Sequence, residues 1–157
     1  MPRDYDVVES IAFDVLGQPV PQGSTKSFYI KKLDRVVTTH GNKSTDSWRL
    51  RIATEAQKAQ ADSLFYNSDK TQAYRVVCEF YMERPKSIPK RIIHDTKRPD
   101  IDKLERSVLD AITDVLIPDD AQVTSLRSDK LYCTMDEPPH LHIEVSRLGP
   151  PHPLCHQ

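Results

Sequence analysis

Four aspartates bracket one predicted helix in the segment of residues 97–123. Asp100 and Asp102 are separated by one residue, Asp119 and Asp120 are adjacent, and each pair directly follows a proline. Carboxylates that are brought together repel one another unless a cation neutralises them. A hard divalent cation such as Mg²⁺ takes a few carboxylates and waters as ligands, and substrate phosphate completes its shell. Metal-assisted chemistry on a phosphate is therefore the first hypothesis for this chain.

The first pair also has a purely structural explanation. Asp100 is a suitable N-cap, and an aspartate in the first turn of a helix gains a few tenths to about 1 kcal/mol from the helix dipole. Capping alone thus accounts for Asp100, and for Asp102 as well. However, Pro99 biases its predecessor toward extended backbone, and residues two apart in an extended segment lie on the same side. Both side chains then converge in front of the helix.

The second pair is harder to explain by local structure. Asp119 and Asp120 follow the predicted helix C-terminus, where negative charge is disfavoured. Aspartate after proline is common in turns, which accounts for one of the two. A metal site accounts for the other, and its predicted ligands are Asp100, Asp102 and Asp120.

The same helix carries a polar stripe, since Asp102, Arg106 and Asp110 are four residues apart. As a surface ladder these pairs contribute only about 0.2–0.5 kcal/mol each. As part of a site, Arg106 would neutralise charge on a transferring phosphate, and Asp110 would orient Arg106.

The net charge of −1 argues against nucleic acid as a partner, but the distribution of charge does not. Residues 84–98 contain six basic side chains and one acid, a local charge of +5. The basic residues are Arg84, Lys86, Lys90, Arg91, Lys97 and Arg98. We interpret this segment as the part that binds phosphate, and a solvated basic loop is the alternative.

Periodicity predicts the elements that must position these side chains. Alternation predicts strands over residues 9–16, 28–30, 35–39, 75–82, 123–133 and 140–145. Apolar residues at helical spacing predict one helix from Ser44 or Thr45 to about Ala61, and a second from about Asp100 to Pro118. The expected fold is α+β, with a single mixed sheet and two main helices packed against it.

The chain of 157 residues fits one domain, which we assign to residues 1–147, with a flexible tail at 148–157. It has no apolar run of membrane-spanning length and no charged-then-apolar leader, so we expect a soluble, unexported protein without a membrane partner. Three widely spaced cysteines indicate free thiols in a reducing compartment.

Two stretches resemble a known family. "RPDIDKLERSVLDAI", then "IPDDAQV" and Lys130, resembles the signature of the RusA-type Holliday-junction resolvases, which are small phage and prophage endodeoxyribonucleases. The stretch "GQPVPQGSTKSFYI" is similar to the phage-borne branch. The resemblance extends from about Gly17 to Val145.

The resemblance implies a homodimer that binds four-way DNA in the cytoplasm of a bacterial host and nicks two strands symmetrically. It implies Mg²⁺ or Mn²⁺ held by three aspartates, which fall on Asp100, Asp102 and Asp120. The family's asparagine and lysine are replaced here by Lys103 and Arg106, and Lys103 becomes a candidate phosphate contact. Lys130 matches a basic position of the family, so Arg106 and Lys130 are both candidates for the catalytic cation.

Two alternatives stay open at this point. One is a less selective nuclease for branched or flap DNA on the same scaffold. The other is a junction-binding protein that does not cut, and the presence of all three aspartates favours an enzyme over it.

Overall fold

The computed structural model describes residues 5–23, 26–30, 35–39, 43–61 and 63–151. The strands are β1 (Tyr5–Leu16), β2 (Lys26–Ile30), β3 (Arg35–Thr39), β4 (Ala73–Met82), β5 (Val123–Tyr132) and β6 (His140–Pro151). The helices are α1 (Lys43–Gln60), α2 (Ile101–Ile112) and a short 3-10 helix (Asp120–Gln122). The predicted order of strands and helices is confirmed.

One four-stranded sheet holds the fold together, with strand order β1-β6-β4-β5. β4 and β5 are parallel and the other neighbours are antiparallel, so the sheet is mixed as predicted. Parallel neighbours require a crossover connection, and α2 lies in the one between β4 and β5. β2 and β3 pair with each other as a separate antiparallel sheet, and the connection between them, residues 31–34, is outside the described residues.

The two helices bury their apolar stripes against one face of this sheet. In β4 every second residue is buried, and Val76, Cys78 and Phe80 show no solvent exposure. The apolar stripes of the helices complete the core: Trp48, Ile52 and Ala56 from α1, and Leu104, Val108 and Ile112 from α2. Within the described part of the chain, neither helix has the length and apolar content that a membrane crossing requires.

The second helix is shorter than predicted. It ends at Ile112 rather than at Pro118, because Thr113 leaves helical geometry and Asp114 adopts a positive φ of 66°. The turn that follows buries Leu116 and Ile117 side by side. A continued helix would have spread adjacent residues about 100° apart around its circumference. Asp119 and Asp120 are therefore not at the C-terminus of α2.

The last strand is longer than predicted. Residues 148–151 were expected to belong to the tail, yet they continue β6. Leu148 is buried and lies opposite Val7 on one side and Ala73 on the other, so both neighbouring strands hold this end of β6 in the sheet.

Candidate active site

An open cleft of about 430 Å³ lies beside the solvent-facing side of α2. Its lining consists of Gln22, Asp102, Glu105, Arg106, Leu109, Asp110 and Asp120. The helix contributes residues three and four positions apart, which share one face, while the opposite face carries Leu104 and Val108 into the core. The apolar stripe thus fixes the rotation of α2 and turns Asp102 and Arg106 toward the cleft.

The three predicted metal ligands are divided between two neighbouring concavities. Asp102 and Asp120 line the cleft, although they come from different segments. Asp100 lines a second concavity together with Pro21, Gln22, Gly23, Arg98, Pro99 and Lys103. Among the residues that the structure describes, no three acid, histidine or cysteine side chains form a ready-made metal cage. The fold places two of the three aspartates on one cleft and Asp100 on a second concavity that shares Gln22 with it.

Helix capping explains the backbone position of Asp100 but not its side chain. Asp100 is the N-cap of α2 by backbone geometry, and its carbonyl oxygen accepts from the amides of Lys103 and Leu104. Its side chain makes no capping hydrogen bond to the described part of the helix. Capping of α2 therefore does not account for the aspartate side chain at this position.

The explanation of the second pair also changes. Asp119 is the N-cap of the 3-10 helix, and its carboxylate accepts from the Ala121 amide at 2.9 Å. This hydrogen bond lowers the pKa of Asp119. The predicted position at an unfavourable helix end was therefore wrong, because α2 ends at Ile112 and the pair begins the 3-10 helix, which Asp119 caps. Asp119 has a local structural role, whereas Asp120 lines the cleft.

Glu105 is a cleft residue to which sequence reasoning assigned no role. It lies three positions after Asp102, and burial, followed by the negative charge of Asp102, raises the pKa of its carboxyl group. The sequence signal was its i+3 spacing from Asp102, which places both on one side of a helix. The position falls between the apolar and polar stripes, so periodicity alone did not single it out.

Arg106 is not oriented by Asp110 as predicted. The Asp110 carboxylate forms an ion pair with Arg49 of α1 at 3.6 Å. Arg106 is exposed on the wall of the cleft, between the positions of Asp102 and Asp110. Arg106 is therefore a positively charged side chain on a cleft that otherwise carries mainly carboxylates.

Lys130 holds the chain immediately before Asp100. Its ammonium donates to the carbonyl oxygen of Pro99 at 2.7 Å and to that of Lys97. The same segment pairs with the edge of β5, since the Asp95 amide donates to the Lys130 carbonyl at 3.1 Å. The buried Asp95 carboxylate in turn accepts from the Lys97 amide. The contacts of Lys130 are those of a residue that positions Asp100.

The basic segment divides into internal and external side chains. Arg84 donates to the carbonyl oxygens of Pro89, Ile92 and Cys133, and its guanidinium lies over the Tyr132 ring. Arg84 therefore organises the loop and is not free for phosphate. The five predicted DNA contacts are all exposed: Lys90, Arg91, Lys97, Arg98 and Lys103.

The donor chemistry around the cleft fits a hard divalent cation. Four carboxylates and one carboxamide line it, and oxygen donors of these kinds are the ligands that Mg²⁺ and Mn²⁺ accept. Asp102 and Asp120 would hold such a cation from within the cleft, and Asp100 from its margin.

Comparison with known proteins identifies the family. The family model described as "Endodeoxyribonuclease RusA" matches residues 17–146, which is most of the chain. Among curated proteins, none matches this chain.

Proposed function

Because the chain belongs to the RusA endodeoxyribonuclease family, we propose that it resolves Holliday junctions by metal-dependent, paired nicking of two DNA strands. The observation that carries the proposal is the cleft itself. Asp102 from α2 and Asp120 from the 3-10 helix line one open space together with the guanidinium-bearing Arg106. Carboxylates that can bind a metal ion, beside a positively charged side chain that can bind phosphate, suit metal-assisted hydrolysis of a phosphodiester.

Asp100, Asp102 and Asp120 would hold Mg²⁺, with Mn²⁺ as a substitute, and the bound cation would activate a water and neutralise charge on the phosphate. Arg106 approaches the scissile phosphate from the wall of the cleft and stabilises the negative charge that develops on it. Lys130, the second candidate for the catalytic cation, instead fixes the carbonyls that precede Asp100. Arg106 is therefore our choice for the catalytic cation.

Five exposed basic residues would bind the arms of the junction, and two of them, Arg98 and Lys103, line the concavity that contains Asp100. Lys97 and Arg98 lie shortly before Asp100 in sequence and Lys103 lies shortly after it, and Lys90 and Arg91 lie earlier in the basic segment. Contacts of this kind with phosphates supply affinity without reading the sequence.

Symmetric nicking requires two active sites related by a two-fold axis, so we propose a homodimer. Analytical ultracentrifugation at micromolar concentration tests this directly. A monomer that still resolves junctions with paired nicks would contradict it.

The decisive experiment compares DNA substrates and metal. Purified protein is incubated with labelled four-way, three-way, flap and linear duplex DNA, in Mg²⁺ or in EDTA. We expect paired nicks in the four-way junction only, and none in EDTA. Cutting of flaps and three-way DNA at equal rates would favour the less selective branched-DNA nuclease. Tight junction binding without cutting in Mg²⁺ or Mn²⁺ would favour the non-cleaving junction-binding protein.

A further inference from the structure

The loop of residues 17–23, which follows β1, is held against both helices and the end of β4. The Thr45 hydroxyl donates to the Pro21 carbonyl oxygen at 3.0 Å, and the Gln22 amide donates to the Lys103 carbonyl oxygen at 3.0 Å. The Gln18 carboxamide oxygen accepts from the Glu83 amide at 2.9 Å. Three different elements thus fix the position of this loop.

Gly17 is the residue that lets the loop leave β1. Its φ of 123° is in the region that only glycine adopts readily. A Cβ at this position would also lie 2.5 Å from the guanidinium of Arg51, which donates to the Leu16 carbonyl oxygen. The path of the chain into Gln22 is therefore set by both backbone conformation and packing.

Gln22 is shared by the two concavities that contain the separated aspartates. Within the described part of the chain, it is the one residue that lines both the Asp102/Asp120 cleft and the concavity that contains Asp100. Its backbone amide is already bound to Lys103, so the first turn of α2 holds it there.

The carboxamide oxygen of Gln22 lacks a partner. This atom is buried, and no hydrogen-bond donor among the residues that the structure describes reaches it. Buried acceptors in native proteins are nearly always satisfied, so an orphaned one requires an explanation. The carboxylates of Asp100, Asp102 and Asp120, which line the same two concavities as Gln22, are acceptors when ionised and have no proton to donate. A cation satisfies the amide oxygen and the carboxylates at the same time.

We propose that the carboxamide oxygen of Gln22 is a further, neutral ligand of the divalent cation bound by the aspartates, an inference that rests on the proposed function. Glutamine carbonyl oxygens are accepted ligands of hard cations. A neutral oxygen adds coordination without adding to the repulsion among the acids. Gln22 thereby links the side of the site that holds Asp100 to the side that holds Asp102 and Asp120.

The test measures metal binding directly, from the free-Mn²⁺ signal in electron paramagnetic resonance of the full chain without DNA. Gln22→Met keeps the size of the side chain and removes its oxygen, and it should weaken Mn²⁺ binding by about 10-fold or more. Gln22→Glu keeps an oxygen at the same reach and should retain binding. Gln18→Met is the matched control, because it removes the same group from the same loop at a position bonded to Glu83.

The outcomes separate this inference from the proposed function. If Gln22→Met binds Mn²⁺ like the wild type while Asp102→Asn and Asp120→Asn lose it, Gln22 is not a ligand and the nuclease proposal stands. Unchanged Mn²⁺ binding with weaker junction binding would make Gln22 a DNA contact, which also overturns the inference. Loss of Mn²⁺ binding in both Gln18→Met and Gln22→Glu would assign the effect to the loop's position and overturn it too. A wild-type protein that neither binds Mn²⁺ nor cuts junctions would overturn both proposals.

Discussion

The ammonium group of Lys130 on β5 donates a hydrogen bond to the carbonyl oxygen of Pro99 at 2.7 Å. Pro99 immediately precedes Asp100, which is the N-cap of α2. Lys130, a side chain of the sheet, therefore fixes the backbone that leads into α2. A lysine that donates to two backbone carbonyls has little freedom to follow a reacting phosphate.

Lys130→Met keeps the aliphatic stem and removes these hydrogen bonds, and it should destabilise the protein by about 1–3 kcal/mol because two carbonyls lose a charged donor. Urea unfolding measures this change. Cleavage at low Mg²⁺ should fall and should recover substantially when Mg²⁺ is raised, because the reacting groups remain present. Lys58→Met, which removes an exposed partner of Glu55, is the control and should change neither property. A rate that stays low at saturating Mg²⁺, in a variant of normal stability, would make Lys130 the catalytic cation.

Asp102→Asn, Asp120→Asn and Asp100→Asn should each reduce junction cleavage by about 100-fold or more, since the bound metal supplies several kcal/mol of charge stabilisation. Junction binding should be unchanged or tighter, because loss of negative charge reduces repulsion with phosphate. Single-turnover cleavage and gel-shift titration measure the two effects. Asp119→Asn should be mild, because asparagine also caps helices well. Wild-type nicking by any one of the first three variants would remove that residue from the site.

Arg106→Ala should reduce the single-turnover cleavage rate by about 100-fold while junction affinity changes little, because its proposed action is on charge that develops in the transition state. Arg106→Lys should keep substantial activity, since it retains the positive charge and restores the residue expected from the family resemblance. Normal cutting by Arg106→Ala would mean that Arg106 has no role in cleavage and is only a surface residue of α2.

The double variant Lys97→Ala/Arg98→Ala should weaken junction binding without changing the position of the nicks. The slope of log affinity against log salt should fall by up to about 2, or roughly 0.9 for each phosphate that the protein no longer neutralises. Affinity is measured by fluorescence anisotropy at several salt concentrations. Lys58→Ala/Arg127→Ala removes two exposed positive charges outside the basic segment and serves as the control. An unchanged slope in the first variant would place the DNA path elsewhere.

Glu105→Gln should stabilise the metal-free protein at neutral and alkaline pH. Burial and the charge of Asp102 raise the pKa of Glu105 above its ordinary value of 4.5, so the ionised form is disfavoured in the folded state. Because this pKa is raised in the folded state, the Glu105 carboxyl group contributes stability that is present below pH 4.5. That stability is lost as the pH rises through the folded-state pKa. The urea midpoints of the wild type and of Glu105→Gln, measured in EDTA, should therefore coincide at about pH 4. At neutral and alkaline pH the midpoint of Glu105→Gln should be the higher of the two. Parallel curves at all pH values would show that Glu105 titrates normally.

Much of this protein is determined by local sequence. The alternation of Val76, Cys78 and Phe80 and the helical spacing of Leu104, Val108 and Ile112 indicated both the elements and their buried faces, and the structure confirms them. Those stripes also fix which side of α2 faces solvent, so the exposure of Asp102 and Arg106 was predictable. The order of elements and the α+β class follow from the same periodicities.

The tertiary structure decided the features that sequence periodicity cannot predict, namely where α2 ends and which distant residues are in contact. The end of α2 at Ile112 depends on the burial of Leu116 and Ile117, a gain that exists only against the assembled core. The pairing of Asp110 with Arg49 and the bonds of Lys130 to the chain before Asp100 join residues that are far apart in sequence, and these residues meet only through packing. Gln22 lies eighty residues before Asp102, and only the loop that is held against both helices and the end of β4 brings it to the cleft that Asp102 and Asp120 line. Local pattern therefore determined the elements and their faces, whereas the contacts between elements decided the site.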